Sequence, residues 1–269
     1  MPEKPLISII TVNLNDVEGL KRTMTSVFEQ TWQEFEYIVI DGDSTDGSKE
    51  YIESHKDKID YWVSEQDSGI YNAMNKGIKA ATGEYLLFLN SGDHFYNELV
   101  LEQNYTCIKD YDLVYFNINV IEDKNEYIRY FPEHLVFSYF IKFTLPHQAT
   151  FIKSSLFEKV GYYDESLKIV SDWKFFVESI CIFNASYFKI EKVLSTHYLN
   201  GISTNPENWH IVLEERKKIL EAGFNAFIED SNQLYEYRQE LAEKRTLISN
   251  LRKSRKIRLL VKLGLLNKF

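Results

Sequence analysis

The sequence predicts an α/β protein, a Rossmann-like, mostly parallel sheet flanked by helices and continued by a helical C-terminal extension. Three observations predict it. Over the first 95 residues, short apolar runs alternate with segments whose apolar residues recur at helical spacing. Polar clusters at 11–15, 41–46, 65–67 and 90–93 follow four successive apolar runs, at the strand ends where such sheets bind ligands. Beyond about residue 207 the pattern is helical almost throughout.

Residues 6–12 (LISIITV) are continuously apolar, as a strand buried on both faces requires. Val17, Leu20, Met24, Val27 and Phe28 then mark a helix. Residues 35–40 (FEYIVI) form the second strand, and the loop DGDSTDG follows, with Asp46 as N-cap of the next helix. A third strand at 61–64 leads to a helix over 69–81, which Gly83 terminates. Residues 85–89 (YLLFL) are the fourth strand and run into Asn90-Ser91-Gly92-Asp93. The second half is less regular. Strands are expected over 112–120 and 127–131 around an Asp-Lys-Asn turn, over 147–152 and over 187–190, with a helix over 172–183. Helices over 207–227 and 230–251 follow, the first packed on the body and the second standing apart. No internal repeat occurs.

At 269 residues the chain can bury its own core without disulfide or metal staples. Its 44% hydrophobic and 26% charged content excludes a disordered or collagen-like chain. Cys107 and Cys181 are too few for a disulfide scaffold and lack metal-site spacing, so both read as buried thiols of a reducing compartment. The N-terminus has no signal-peptide pattern, and no apolar run reaches the roughly 18 residues a membrane helix needs. A cytoplasmic location follows. Charge is uneven: the net −9 combines +7 over 252–269, where no acid occurs, with −16 over 1–251. An acidic body argues against nucleic acid as a partner. In the tail, Arg255, Arg258 and Lys262 line up at helical spacing beside a stripe of Ile257, Leu260, Val261 and Leu265. A basic amphipathic helix of this kind suits an anionic membrane surface, with a partner subunit as the alternative. Leu234, Leu241, Leu247 and Leu251 offer a sparse coiled-coil seam for a homodimer.

In their order and spacing, SIITVNLN, VIDGDSTDGS, SEQDSGIYNAMNKGIKAATGEYLLFLNSGD, HQATFIKSSLFEKVGYYDE and SDWKFF resemble a family-2 glycosyltransferase of the GT-A type. The resemblance covers about residues 5–205 and is nearest to bacterial enzymes that build capsule, exopolysaccharide or O-antigen units. It implies a nucleotide-diphosphate sugar donor, usually a UDP-sugar, with Mn²⁺ or Mg²⁺ and inversion at the anomeric carbon. The basic tail fits an enzyme of this kind whose acceptor is a lipid-linked saccharide, met at the inner face of the bacterial plasma membrane. The expected organisation is a catalytic domain over 1–205, with a nucleotide-sugar half (1–95) and an acceptor half (96–205), then the extension over 206–269. The chemistry of the residues agrees. Carboxylates accept hydrogen bonds from ribose hydroxyls and uracil N–H, but repel a diphosphate unless a hard cation lies between.

The resemblance assigns roles by position. Asp93 stands where the family holds its metal, although Ser91 replaces the first acid of that motif; Ser91 and Gly92 complete the turn. Asp41 and Asp43, in the altered order Asp-Gly-Asp, and Asp67 fall at the nucleoside contacts. Thr11 and Asn13 are placed around the base, and Asn75 and Lys76 near the ribose or phosphate. His147, before Gln148, belongs near the donor sugar. His197, in HYLNGIS, is a phosphate or metal contact, with Asn200 breaking the family's Gly-Gly-Ile-Ser before Ser203. Asp172 is the general base, a role compatible with capping its helix, where Lys174 and Glu178 are spaced for an ion pair. Trp173 either stacks on the acceptor or packs in the core. Two alternatives remain beside this reading. A nucleotidyltransferase wants a Gly-rich basic loop after the first strand, where Asn13-Leu14-Asn15-Asp16 stands instead; a catalytically weak scaffold has the single acid of the metal motif in its favour. The missing Gln-x-x-Arg-Trp motif disfavours a processive synthase.

Overall fold

The computed structural model describes residues 5–122, 125–199, 201 and 205–265. Its first half is the expected alternation. Strand β1 (Ile7–Asn13) is buried at every position. Helix α1 (Val17–Phe28) follows, capped by Asp16, which accepts the Gly19 N–H at 3.0 Å. Then come β2 (Phe35–Asp41), α2 (Ser48–Ser54), β3 (Tyr61–Ser64), α3 (Ile70–Ala80) and β4 (Tyr85–Phe88). β1 pairs in parallel with β2 and β4, and β2 with β3. The register sets Asn13 beside Asp41 and Asp41 beside Ser64, so three polar strand ends share one edge. Helix α3 presses close on β1: a Cβ on Gly77 would stand 2.5 Å from Ile10 Cγ2.

Two local expectations change. Asp46 is not the N-cap of α2; Gly47 holds that position with φ +97°. Asp46 instead accepts from the Ser48 N–H and hydroxyl and from the Val17 N–H, tying the starts of α2 and α1 together. Gly83 does not end α3, which leaves through Ala81 in extended geometry. It is there because the chain passes tightly over β1, where a Cβ would meet the Ser8 nitrogen at 2.7 Å.

The second half adds β5 (His94–Phe95), β6 (Leu113–Glu122), β7 (Asn125–Arg129), α4 (Phe137–Phe140), β8 (Thr150–Lys153), α5 (Ser154–Val160), α6 (Ser171–Cys181) and β9 (Tyr187–Tyr198). The described strands form one sheet in the order β3-β2-β1-β4-β8-β6-β9-β5, with β7 on β6. β8 runs antiparallel to both β4 and β6, and β6 is parallel to β9. Residues 147–149 form a single helical turn after Pro146, so the strand expected from 147 begins at Thr150. The strand expected over 187–190 continues to Tyr198. Its register on β6 shifts around Asn117, which breaks the alternation that would have revealed its length. Two residues of the Asp-Lys-Asn turn, 123 and 124, lie outside the described residues. Cys107 is exposed rather than buried, because the turn at 105–107 gives the core Ile108 instead; Cys181 is half-buried.

The chain divides into two compact units, Met1–Lys218 and Ile219–Phe269. Helix α7 (Trp209–Gly223) spans the boundary between them, with its first turns in the first unit. In the second unit α8 (Asn225–Lys253) begins directly after Phe224, and none of its residues is buried. Helix α9 (Arg255–Lys262) follows; the side chains of Arg255 and Arg258, and residues 266–269, lie outside the described residues. Among the described residues no helix is long and apolar enough to cross a membrane.

Candidate active site

The polar ends of β1, β2 and β3 converge, but their carboxylates are not equivalent. Asp41 is fully buried and its acceptor positions are occupied. Its Oδ1 receives Asn13 Nδ2 at 2.7 Å and the Ser44 hydroxyl at 2.6 Å; its Oδ2 receives the Ser44 N–H at 3.0 Å and the Ser64 hydroxyl at 2.7 Å. Asp43, two residues on, is exposed in left-handed backbone geometry with φ +65°. Asp67 stands beside this loop, its Oδ2 only 3.1 Å from where a Gly42 Cβ would be. Lys76 of α3 pairs with Asp67 at 2.5 Å and with Glu65 at 2.8 Å. Burial opposes the charge on Lys76, but the two carboxylates outweigh it and hold its ammonium above the usual value.

Three expected donor contacts turn inward. Thr11 is fully buried, with its hydroxyl on the Leu89 carbonyl at 2.8 Å and facing the Tyr37 hydroxyl, so it ties β1 to its neighbours instead of lining a base pocket. Asn13 spans Asp41 and Ser91, accepting the Ser91 hydroxyl at 2.7 Å. Asn75 is a clip across the molecule: it takes the Tyr163 N–H, and it donates to the Tyr163 carbonyl and to Glu165. That leaves it no N–H to donate to a ribose.

At the end of β4, Gly92 takes φ +100° and turns the chain into Asp93. Thr23 of α1 fixes this turn by donating to the Asp93 carbonyl at 2.6 Å and accepting the Gly92 N–H. From Asp93 a row of polar side chains crosses the site. Asp93 Oδ1 meets His197 Nδ1 at 2.7 Å, which the unforeseen length of β9 makes possible. Asp93 Oδ2 lies 3.9 Å from His147 Nε2, and His147 Nδ1 lies 3.4 Å from Asp172 Oδ2. Asp172 Oδ1 accepts the Tyr71 hydroxyl at 3.0 Å. Burial disfavours a charged His147, but Asp172 and Asp93 outweigh it and raise its affinity for a proton. Burial likewise disfavours the Asp172 anion, and His147 with Tyr71 overcomes this, holding the carboxyl below its ordinary range. Tyr71 is pushed well above its usual value by burial and then by Asp172, so it remains a donor. Arg22 adds a cation beside the turn, donating to the Gly92 carbonyl at 3.3 Å. Asn200 and Ser203 lie outside the described residues.

Asp172 does not cap its helix. Val170 holds the N-cap position, which leaves the Asp172 side chain free to face His147 and Tyr71. Trp173 is 1% exposed and donates to the Phe140 carbonyl at 2.7 Å, so it packs in the core and cannot stack on a sugar. Lys174 pairs with Asp164 at 2.8 Å rather than with Glu178, because the loop at Asp164 is drawn onto the start of α6 by Ser171. Among the described residues no group of three or more His, Cys, Asp or Glu side chains is set to hold a metal ion. Asp93 and His197 supply two donors, and Asn90 Oδ1 is buried nearby without a hydrogen-bond partner. Such a sparse set suits a hard cation that draws its other ligands from phosphate oxygens and water.

Tyr71 and Arg22 were missed by sequence reasoning, and Asn90 was read only as part of the polar cluster at 90–93. Only Tyr71 left a trace, sharing an α3 face with Asn75 at i, i+4 spacing.

The family model for Glycosyl transferase family 2 matches residues 8–157, more than half of the chain. The chain belongs to glycosyl transferase family 2. This glycosyltransferase is 35% identical over 187 residues to an uncharacterized glycosyltransferase of Mycobacterium tuberculosis (strain CDC 1551 / Oshkosh), covering 68% of this chain and 71% of that protein. It is 30% identical over 178 residues to a PGL/p-HBAD biosynthesis glycosyltransferase of Mycobacterium bovis (strain BCG / Pasteur 1173P2), covering 64% and 68%. Its backbone is similar to S. aureus TarS 1-349 in complex with UDP, with a TM-score of 0.59 at 20% identity over 71% of this chain and 60% of that one. It is also similar to mannosyltransferase PcManGT from Pyrobaculum calidifontis in complex with GDP-Man and Mn²⁺, with a TM-score of 0.54 at 16% identity over 73% and 57%. The glycosyltransferase therefore spans about 60% of the length of these solved chains, and at such identities they establish its GT-A fold. The family match ends within α5, so Asp172 and His197 lie beyond it.

Proposed function

We propose that this glycosyltransferase moves a sugar from a nucleoside-diphosphate donor, UDP-linked in the first instance, to a hydroxyl of a lipid-linked saccharide, inverting the anomeric carbon. The observation that carries this reading is the row His197–Asp93–His147–Asp172 across the strand ends, an acid with an imidazole at one end and an ionised carboxylate at the other. Asp43 and Asp67 face the nucleoside, while Asp41 holds the loop that carries Asp43. Ser91, Gly92 and His147 border the donor sugar. Asp93 and His197 would hold Mn²⁺ or Mg²⁺, which supplies neutralisation of diphosphate charge when bound. Asp172 takes the proton from the acceptor hydroxyl as that oxygen bonds to the anomeric carbon. The bond from that carbon to the diphosphate oxygen breaks, and its electron pair leaves with the nucleoside diphosphate. His147, whose affinity for a proton the two acids raise, lies between them and offsets their mutual repulsion.

The relative named for PGL/p-HBAD biosynthesis supports a biosynthetic sugar transfer, and the basic tail suits an acceptor met at the inner membrane face. The test is hydrolysis of a panel of UDP-, GDP- and TDP-sugars by the full chain, with and without Mn²⁺. Metal-stimulated release of one nucleoside diphosphate supports the reading. Inertness toward every donor, with UDP unbound, refutes it.

A further inference from the structure

Glu215 lies in α7, beyond the segment that matches the family, yet it is only 9% exposed. Both its oxygens face the backbone that leads into α6. Oε1 accepts the Lys168 N–H at 2.7 Å; Oε2 accepts the Ile169 N–H at 3.1 Å and the Val170 N–H at 3.3 Å. Three consecutive amides therefore converge on one carboxylate, and bonds to an ionised acceptor are roughly twice as strong as neutral ones. The segment held in this way is the one that carries the base. Asp172 follows two residues after Val170, and the Ile169 carbonyl accepts the same Tyr71 hydroxyl that faces Asp172. On the other side of Asp172, Arg216 lies over the Trp173 ring at 4.9 Å and donates to the Lys142 carbonyl at 3.3 Å. Adjacent residues of α7 thus grip the chain before and after Asp172.

We propose that Glu215 is a positioning residue for sugar transfer: by fixing Lys168, Ile169 and Val170 it sets Asp172 against the acceptor hydroxyl, which makes the start of α7 part of the catalytic apparatus. The proposal rests on the reading of Asp172 as the base. Among the described residues, none of the donor half hydrogen-bonds to Glu215, so its loss should leave nucleotide binding alone. A glutamate that served only stability would instead lower the melting temperature while the folded enzyme turned over normally.

The decisive variant is Glu215→Gln in the full chain. Glutamine keeps the size, but its NH₂ must point at one or more of the three N–H donors. A misplacement of about 1 Å at a reacting group costs on the order of 10²-fold. We expect kcat for transfer to fall about 10- to 100-fold while the donor KM and UDP affinity stay within about twofold. The amides of residues 168–170 should exchange faster with deuterium while those of β1 and β4 do not. Glu215→Asp, which keeps the charge but withdraws it by one methylene, should fall between, and carries the same comparison if Glu215→Gln fails to fold. The double variant with Asp172→Asn settles the route. If Glu215 acts through Asp172, the pair is no slower than Asp172→Asn alone. Losses that multiply in the double variant, or an unchanged kcat, overturn the proposal. Failure of the base reading looks different: Asp172→Asn alone then transfers at the wild-type rate.

Discussion

Replacing Asp172 by Asn changes one atom's identity and removes one charge, which makes it a sharp probe of the site. Asparagine still accepts the Tyr71 hydroxyl now held at 3.0 Å. It cannot take a proton from the acceptor, so transfer should fall about 10²- to 10⁴-fold. The cost in stability comes from His147, which loses its carboxylate partner at 3.4 Å and keeps Asp93 at 3.9 Å and the Asn90 amide at 3.4 Å. A charge-assisted bond exceeds a neutral one by on the order of 1 kcal/mol, which for a chain of this size lowers Tm by about 2–4 °C. That cost depends on pH. The folded pKa of His147 is raised, so its contribution is complete below its unfolded value near 6.5 and is lost as pH climbs through the folded one. The folded pKa of Asp172 is lowered, so its contribution is present above about 3.9 and is lost as pH falls through the folded one. The Tm gap between wild type and variant should therefore be widest between about pH 4 and 6.5 and narrow by pH 9. Sugar transfer, UDP calorimetry and melting curves on one preparation read all three effects. Transfer within a few-fold of wild type would remove Asp172 from the chemistry. A Tm gap that widened toward pH 9 would refute the charged pair.

UDP should bind strongly only with Mn²⁺ or Mg²⁺, and Asp93→Ala should abolish that dependence; equal affinity in calorimetry with and without metal would count against the site. Asp41→Ala strands buried donors from Asn13, Ser44 and Ser64, and should cost on the order of 3 kcal/mol in denaturant unfolding. Asp43→Asn, which tolerates the left-handed backbone equally well, should weaken UDP binding about tenfold with Tm unchanged. The reverse pattern would exchange the roles of the two acids. A chain ending at Leu251 should lose binding to anionic vesicles, since each basic residue near such a surface contributes about 1 kcal/mol, while still hydrolysing its donor. Vesicle binding unaltered by the truncation would assign the tail elsewhere.

Much of the donor half could be read directly from the chain. β1, β2, β3 and β4 are each a short apolar run with a polar end, and a parallel sheet needs no distant information to make that pattern. Asp93 and Asp172 were singled out by motif alone, and the structure sets both beside His147. Which neighbours each polar group would meet was beyond local pattern. Asp41 and Asp43 differ by two positions, yet the parallel register delivers Asn13 and Ser64 to the first and leaves the second exposed. Trp173 was equally suited to a sugar or to the core until α4 supplied the Phe140 carbonyl for its indole N–H. β9 concealed its length because its charged, half-exposed face and shifted register erase period-two alternation, and only that length carries His197 to Asp93. Glu215 sits in a run of charged residues that reads as solvated helix surface. The sequence by itself determined the strands, the helices and the polar edge of the donor half, because each depends on side chains a few residues apart. The tertiary structure alone decided which carboxylates are spent on the protein's own donors and which stay exposed, because strand pairing is what brings Asn13 and Ser64 to Asp41, and packing of the two halves is what brings Tyr71 to Asp172.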